Sequence, residues 1–213
     1  GSYDIYVKGI SFPDMPADYR DRYPVVKEEF APNGESHLPC IHDIYMLSAM
    51  QDAEPPAGAA AKIEQVVSYV LHPDYQALDP SYGYVRELRQ GKIHYYILGW
   101  AANLPGYNSP LKKGRPAILI QRLELMCRFP IACRHEWTLR CIEYLGRYRT
   151  SRGTWIFPRE YLTEKPVGYW VCGAHMGLEE DRRSSRTLET ESTFRMLKIK
   201  KLLRDNTTGA CRT

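Results

Sequence analysis

Apolar residues recur at the three- and four-residue spacing of one helical face over residues 59–71, where Ile63, Val66, Val67, Val70 and Leu71 align. His72-Pro73 ends that helix, because proline disfavours helical geometry in the residue before it. The same spacing predicts helices over 116–128, through Ile118, Leu119, Leu123 and Met126, and over 135–148, through Thr138, Cys141, Ile142, Leu145 and Tyr148. A shorter helix over 39–50 opens on Pro39, whose missing N–H suits a first helical position. A closing helix is expected over 188–203. Residues 95–102 and 169–178 are short apolar segments, and the stretches 51–58, 74–91 and 149–168 read as linker and Pro/Tyr/Gly loops. Residues 1–38 lack periodicity, and the polar tail 205–213 reads as disordered. The expected fold class is all-α.

The chain also matches itself. Tyr95-Tyr96-Ile97-Leu98-Gly99-Trp100 lies over Tyr169-Trp170-Val171-Cys172-Gly173-Ala174 at an offset of 74, with Leu104 over Leu178 closing the alignment. Val67-Ser68-Tyr69-Val70 lies over Ile142-Glu143-Tyr144-Leu145 at an offset of 75, and Pro39 over Pro116 at 77. The implied organisation is one helical-repeat domain over 1–204, with an irregular start at 1–38, unit one at 39–114, unit two at 115–187 and the closing helix at 188–203. A single such unit cannot cover its own apolar face, so neighbours are expected to stack.

Composition excludes several classes. The chain of 213 residues is 44% hydrophobic and 25% charged, with a net charge of +4, too small a surplus to imply nucleic acid. Lys198, Lys200, Lys201 and Arg204 sit towards the end of the closing helix, where cations complement the helix dipole. None of the six cysteines is spaced CxxC, which argues against a thiolate zinc site, and reduced thiols in a cytoplasmic protein are the simplest account. No apolar run reaches the ~18 residues of a membrane span. Gly1-Ser2 reads as an expression scar. Phosphate-binding loops, dinucleotide fingerprints and nucleophile elbows are missing from the sequence, and no cofactor is implied.

Three stretches carry a family resemblance: Pro39-Cys40-Ile41-His42-Asp43-Ile44-Tyr45, the loop Arg149-Thr150 through Gly153-Thr154-Trp155 to Phe157-Pro158, and Gly173-Ala174-His175-Met176-Gly177-Leu178-Glu179-Glu180-Asp181-Arg182-Arg183. Glu191-Ser192-Thr193-Phe194-Arg195-Met196-Leu197 belongs with them. Over about residues 36–203 the chain resembles bacterial squalene cyclase and prenyltransferase-like proteins, many of them uncharacterised. The resemblance implies an α/α toroid, with inner and outer helices around a central cavity. The DxDD acid motif and the glutamine- and tryptophan-rich repeats of the cyclases are absent, and the prenyltransferase zinc ligands have no matching positions. The resemblance therefore carries the fold and not the catalysis.

Candidate chemistry follows from that frame. Asp43, with His42 beside it, is the candidate acid if its helix lines an apolar cavity, since burial raises a carboxyl pKa; the alternative is a helix-start carboxylate. Cys172 and His175 share a face if residues 169–178 are helical, and a metal or simple packing would each explain them. The acidic and basic run 179–183 is either a solvated helix start or the rim of a cavity. Tyr84, Tyr96, Trp100, Trp155 and Trp170 are candidate ligand-binding aromatics, able to stabilise positive charge or to fill a core, and His175 is a candidate ligand-binding residue with them. The leading expectation is a divergent cyclase-like protein holding an apolar, isoprenoid-like small molecule, with catalysis undecided. Two alternatives stay open: a non-catalytic helical-repeat interaction module, and a carbohydrate-processing toroid. Self-association as a homo-oligomer is open as well.

Overall fold

A computed structural model describes residues 39–53, 55–56, 58–77, 84–97, 101–111, 116–165, 170–178 and 184–208, with the backbone alone at 84–89, 93–97, 172 and 208. These residues are mostly helical. The chain divides into two compact units, Gly1–Asn103 and Leu104–Thr213. The repeat reading places its division after residue 114, inside the second of these.

Unit one contains helices α1 (Ile41–Asp52), α2 (Ala59–Val70) and α3 (Pro73–Gln76), followed by strands β1 (Tyr84–Arg89) and β2 (Lys92–Ile97). Ile63, Val66, Val67 and Val70 of α2 are all buried, as their spacing predicts. α1 packs on α2 and buries Ile41, Ile44 and Leu47. The His72-Pro73 break does two jobs. It stops α2, and it starts α3, where His72 Nδ1 accepts the Asp74 N–H at 3.3 Å and Pro73 takes the first position. The residues that follow tie the unit together. The Tyr75 hydroxyl donates to Pro39 O at 2.5 Å and accepts the Ala102 N–H at 2.8 Å, while Gln76 Nε2 donates to Val70 O and Ala102 O. Burial pushes the Tyr75 phenol above its ordinary range, so it stays a neutral donor.

The hairpin departs from the expected loop over 74–91. β1 and β2 are antiparallel in a register running from Tyr84↔Ile97 to Arg89↔Lys92. Gln90 and Gly91, at φ 50° and 74°, make the tight turn, whose two central residues need positive φ. Gly91 reaches that region at no steric cost, and Gln90 is held there by the pairing on either side.

Unit two contains α4 (Pro116–Met126), α5 (Pro130–Cys133), α6 (Glu136–Gly146), two short 3₁₀ turns (Arg159–Leu162 and Trp170–Cys172) and α7 (Ser185–Thr208). α4 is the central helix: every residue from Ala117 to Met126 except Ile118 is buried, and α6, α7 and both 3₁₀ turns touch it. α6 is capped by His135 Nδ1, which accepts the Trp137 N–H at 3.2 Å. It buries Trp137, Thr138, Cys141 and Leu145. The Trp137 indole N–H donates to Pro105 O at 2.8 Å, and Arg140 donates to Tyr107 O at 3.1 Å, anchoring the start of the unit.

α7 is longer than the expected 188–203 and takes in the first residues of the expected disordered tail. Asn206 explains the extension: its Nδ2 donates to Cys127 O and to Leu202 O, both at 3.0 Å. The self-match also changes meaning. Residues 67–70 lie in α2 and 142–145 in α6, so these two matched segments are both helical. Its aromatic part does not carry over to the backbone. Residues 95–97 end a strand, whereas Trp170–Cys172 is a 3₁₀ turn. Among the described residues no helix is long and apolar enough to cross a membrane.

Gly173 pins that 3₁₀ turn against α4. It sits at φ 72°, and a Cβ there would meet Ala117 C and Ile118 N at 2.8 Å. Gly173→Ala is expected to lower stability by about 1–3 kcal/mol, combining backbone strain with a backbone clash. Gly146→Ala, with nothing within 4 Å of the new methyl, is expected to raise stability by about 0.4–1 kcal/mol. Urea unfolding of the two variants side by side checks both signs.

Candidate functional site

Asp43 is in the first turn of α1, with Cys40 as the N-cap residue. Its carboxylate accepts the Cys40 N–H at 2.7 Å, closing a capping box in which the residue at the third helical position reaches back to the cap. The alternative reading of Asp43, a carboxylate serving the helix start, thus has a specific bond behind it. The Cys40 sulfur lies 3.9 Å from Nδ1 of the exposed His42. Burial, with the Asp43 carboxylate nearby, pushes the Cys40 thiol up to about 11, so it is neutral at physiological pH and a poor nucleophile.

Trp155 is 4% exposed. Its ring has Lys200 Nζ at 4.5 Å and the Arg149 guanidinium at 5.6 Å, so the chain itself supplies the cations that face it. Its backbone N–H donates to Thr193 Oγ1 at 3.0 Å. Trp170, by contrast, is half exposed, and its carbonyl accepts from Gln121 Nε2. His175 forms an isolated β-bridge with Glu164, and its Nδ1 lies 2.8 Å from Glu164 Oε1. It follows a 3₁₀ turn instead of continuing a helix, so Cys172 and His175 do not share a helical face. Among the described residues no cluster of three or more His, Cys, Asp or Glu could hold a metal. Trp100, the run 179–183 and the side chains of Tyr84 and Tyr96 lie outside the described residues. The backbones of Tyr84 and Tyr96 are at paired positions of the hairpin, opposite Ile97 and Val85.

The best-built polar constellation is one that no candidate named. Glu124, near the end of the buried α4, receives Arg195 Nη1 at 3.0 and 3.1 Å on its two oxygens and Lys198 Nζ at 2.9 Å. Arg195 Nη2 donates to Met176 O at 2.7 Å. Next to it, Glu191, 1% exposed, accepts the Leu178 N–H at 2.9 Å. Ser192 accepts the Phe157 N–H at 2.9 Å and donates to Leu188 O at 2.6 Å. The inner face of α7 therefore holds the loop backbones at 155–157 and 176–178 in place. The sequence signal was present as Glu191, Ser192 and Arg195 at helical spacing, one face of a helix, but charged residues at such spacing usually mark a solvated face.

The outer face of the same helix is different. Phe194 and Leu197, one turn apart, are 47% and 54% exposed. With Arg152, Thr154, Glu189 and Thr193 they line an open groove of about 730 Å³. Arg152 and Glu189 close one side through a 2.6 Å ion pair, and Thr154 Oγ1 donates to the same carboxylate. Arg186, also in the groove wall, is exposed, and its guanidinium has no partner among the described residues. This arrangement has an apolar floor, fixed polar edges and, among the described residues, a cation without a partner, which suits binding.

Comparison with protein-family models, with curated proteins and with solved structures finds no match.

Two variants separate structural from chemical roles. Asp43→Ala is expected to cost about 1 kcal/mol, the worth of a helix cap, measured by urea unfolding. Arg195→Met leaves Glu124 buried without its main partner and is expected to cost about 3–5 kcal/mol; adding Glu124→Leu is expected to recover most of that loss. A double variant no more stable than Arg195→Met alone would contradict the ion-pair account.

Proposed function

We propose that the chain is a non-catalytic helical interaction module that binds a protein partner through the groove on unit two. The observation that carries this reading is the division of α7 into two faces. Its inner face is locked by Glu124, Arg195 and Ser192, and its outer face presents Phe194 and Leu197 to solvent. Exposed apolar side chains rimmed by polar ones are what a recognition surface offers. The occupant that fits is a peptide segment with apolar side chains for Phe194 and Leu197 and a carboxylate for Arg186.

This reading has more support than the apolar small-molecule alternative. Cyclase-like chemistry would use Asp43 as a buried acid, and the Asp43 carboxylate is engaged as a helix cap. It would use Trp155 to stabilise a ligand's positive charge, and two cations of the chain already face that ring. The α/α-toroid type of repeat belongs to the same proposal as its framework, with α2 and α6 as equivalent helices.

Phe194→Asp combined with Leu197→Asp tests the proposal. Both residues are half exposed, so the thermal midpoint is expected to stay where it is. Affinity for a partner captured by the unaltered chain is expected to fall by tenfold or more, about the loss expected when two central apolar contacts are removed. A partner held equally well by the double variant, or an isoprenoid extracted from both forms of the purified protein, would overturn it.

A further inference from the structure

The exposed side of α7 continues past the groove. Arg186, Thr190, Phe194, Leu197, Lys201 and Arg204 are all exposed and fall within one narrow stripe of the helix. From Thr190 onward they step by four, three, four and three residues. That alternation is the seam along which one helix accepts another, because its side chains leave holes that a facing side chain fills. An extended strand presents its side chains every second residue and does not keep step with such a seam. The stripe is apolar at its centre, at Phe194 and Leu197, and basic at both ends, with Arg186 at one and Lys201 and Arg204 at the other. From Arg186 to Arg204 it runs about 27 Å at the rise of an α-helix. Asp205 stands beside the second basic end and pairs with Lys201 and Arg204, whose side chains stay 69% and 71% exposed. Exposed pairs of this kind are worth little and exchange readily for another partner. One carboxylate against three cations leaves the stripe basic. Those cations also argue against a second copy of the chain. Parallel copies would set each cation against its twin, and antiparallel copies would set Arg186 against Lys201 and Arg204.

We propose that the occupant of this stripe is an acidic amphipathic helix of a partner protein, lying along α7 with apolar side chains over Phe194 and Leu197 and carboxylates at both ends. The inference rests on the groove reading above and adds to it the partner's conformation and a second set of charges. The apolar centre supplies most of the affinity. The cations at the two ends select a partner by the sign of its charge and fix where along α7 it stops. Arg152 and Glu189 wall one side of the first half of the stripe, and, being paired with each other, they add no net charge to it.

The probe is a fluorescein-labelled peptide of about 18 residues, long enough to span the stripe as a helix, with leucines at heptad spacing in its middle turns and glutamates in its first and last turns. A twin peptide carries lysines in place of the glutamates. Fluorescence anisotropy with the full chain is expected to show saturable binding of the acidic peptide, weakened by added salt, and no binding of the basic one. Lys201→Glu combined with Arg204→Glu is expected to weaken the acidic peptide by about tenfold, and Arg186→Glu to weaken it independently. All three side chains are exposed, so the thermal midpoints of these variants are expected to stay in place. No binding of the acidic peptide, or equal binding of the two peptides, would overturn the acidic helix. The groove reading then stands or falls separately, on whether the captured partner is lost from the Phe194→Asp, Leu197→Asp variant. Acidic-peptide binding indifferent to that variant would overturn both. A dimer seen by sedimentation and broken by the same variant, or phosphatidylserine vesicles that hold the chain through the same residues, would overturn the proposal in favour of a second copy or a membrane surface.

Discussion

Everything in unit two is arranged around a charge that has no way out. Glu124 is on a helix buried along nearly its whole length, and an unpaired carboxylate there would cost several kcal/mol. α7 answers with two cations one turn apart, Arg195 and Lys198, and the answer fixes which way α7 is turned. Once Arg195 faces Glu124, Glu191 and Ser192 face inward with it and meet the loop amides of Leu178 and Phe157. The backbone groups of two irregular stretches are satisfied by the same rotation of one helix. The exposure of Phe194 and Leu197 is the other consequence: they occupy the positions left over once the polar side chains point in.

The helices were legible because their apolar spacing survives into the structure. The Ile63, Val66, Val67 and Val70 face of α2 is buried residue for residue, and the His72-Pro73 break ends it at the expected place. The hairpin was not read, although two six-residue runs separated by Gln90-Gly91 spell it out. Gln-Gly is a weaker turn signal than Asn-Gly, and β1 carries two arginines and a glutamate, so its period of two is faint in hydropathy alone. The end of α7 was missed for a different reason. Asn206 and Thr207 read as tail residues, and the bond from Asn206 to Cys127 O spans 79 positions that no local pattern can anticipate.

The candidate site shows the same limit from the other side. Asp43 and His42 were singled out as residue types with chemistry, but a capping bond turns on a geometry three residues long, and Cys40 with Asp43 satisfies it. The tryptophans were singled out as aromatic faces, and for Trp155 the cations that occupy its neighbourhood lie 6 positions before it and 45 after it. Glu124 went unremarked and Arg195 entered only as part of a resemblance, because each is ordinary alone and acquires a role only from a partner brought by folding.

The self-match between 95–104 and 169–178 carries a general point about repeats. Sequence likeness in a glycine- and aromatic-rich segment constrains packing more than backbone, since an aromatic ring fills a gap from a strand or from a 3₁₀ turn alike. In unit one the segment completes a hairpin and then meets Cys40 through a bridge at Ala101. In unit two Gly173 lets the segment press on α4 at a distance no side chain tolerates. If the two units descend from one, the helices were kept and the connection was rebuilt. The two units thus differ in their connecting segments, the part of a fold on which binding specificity is usually built.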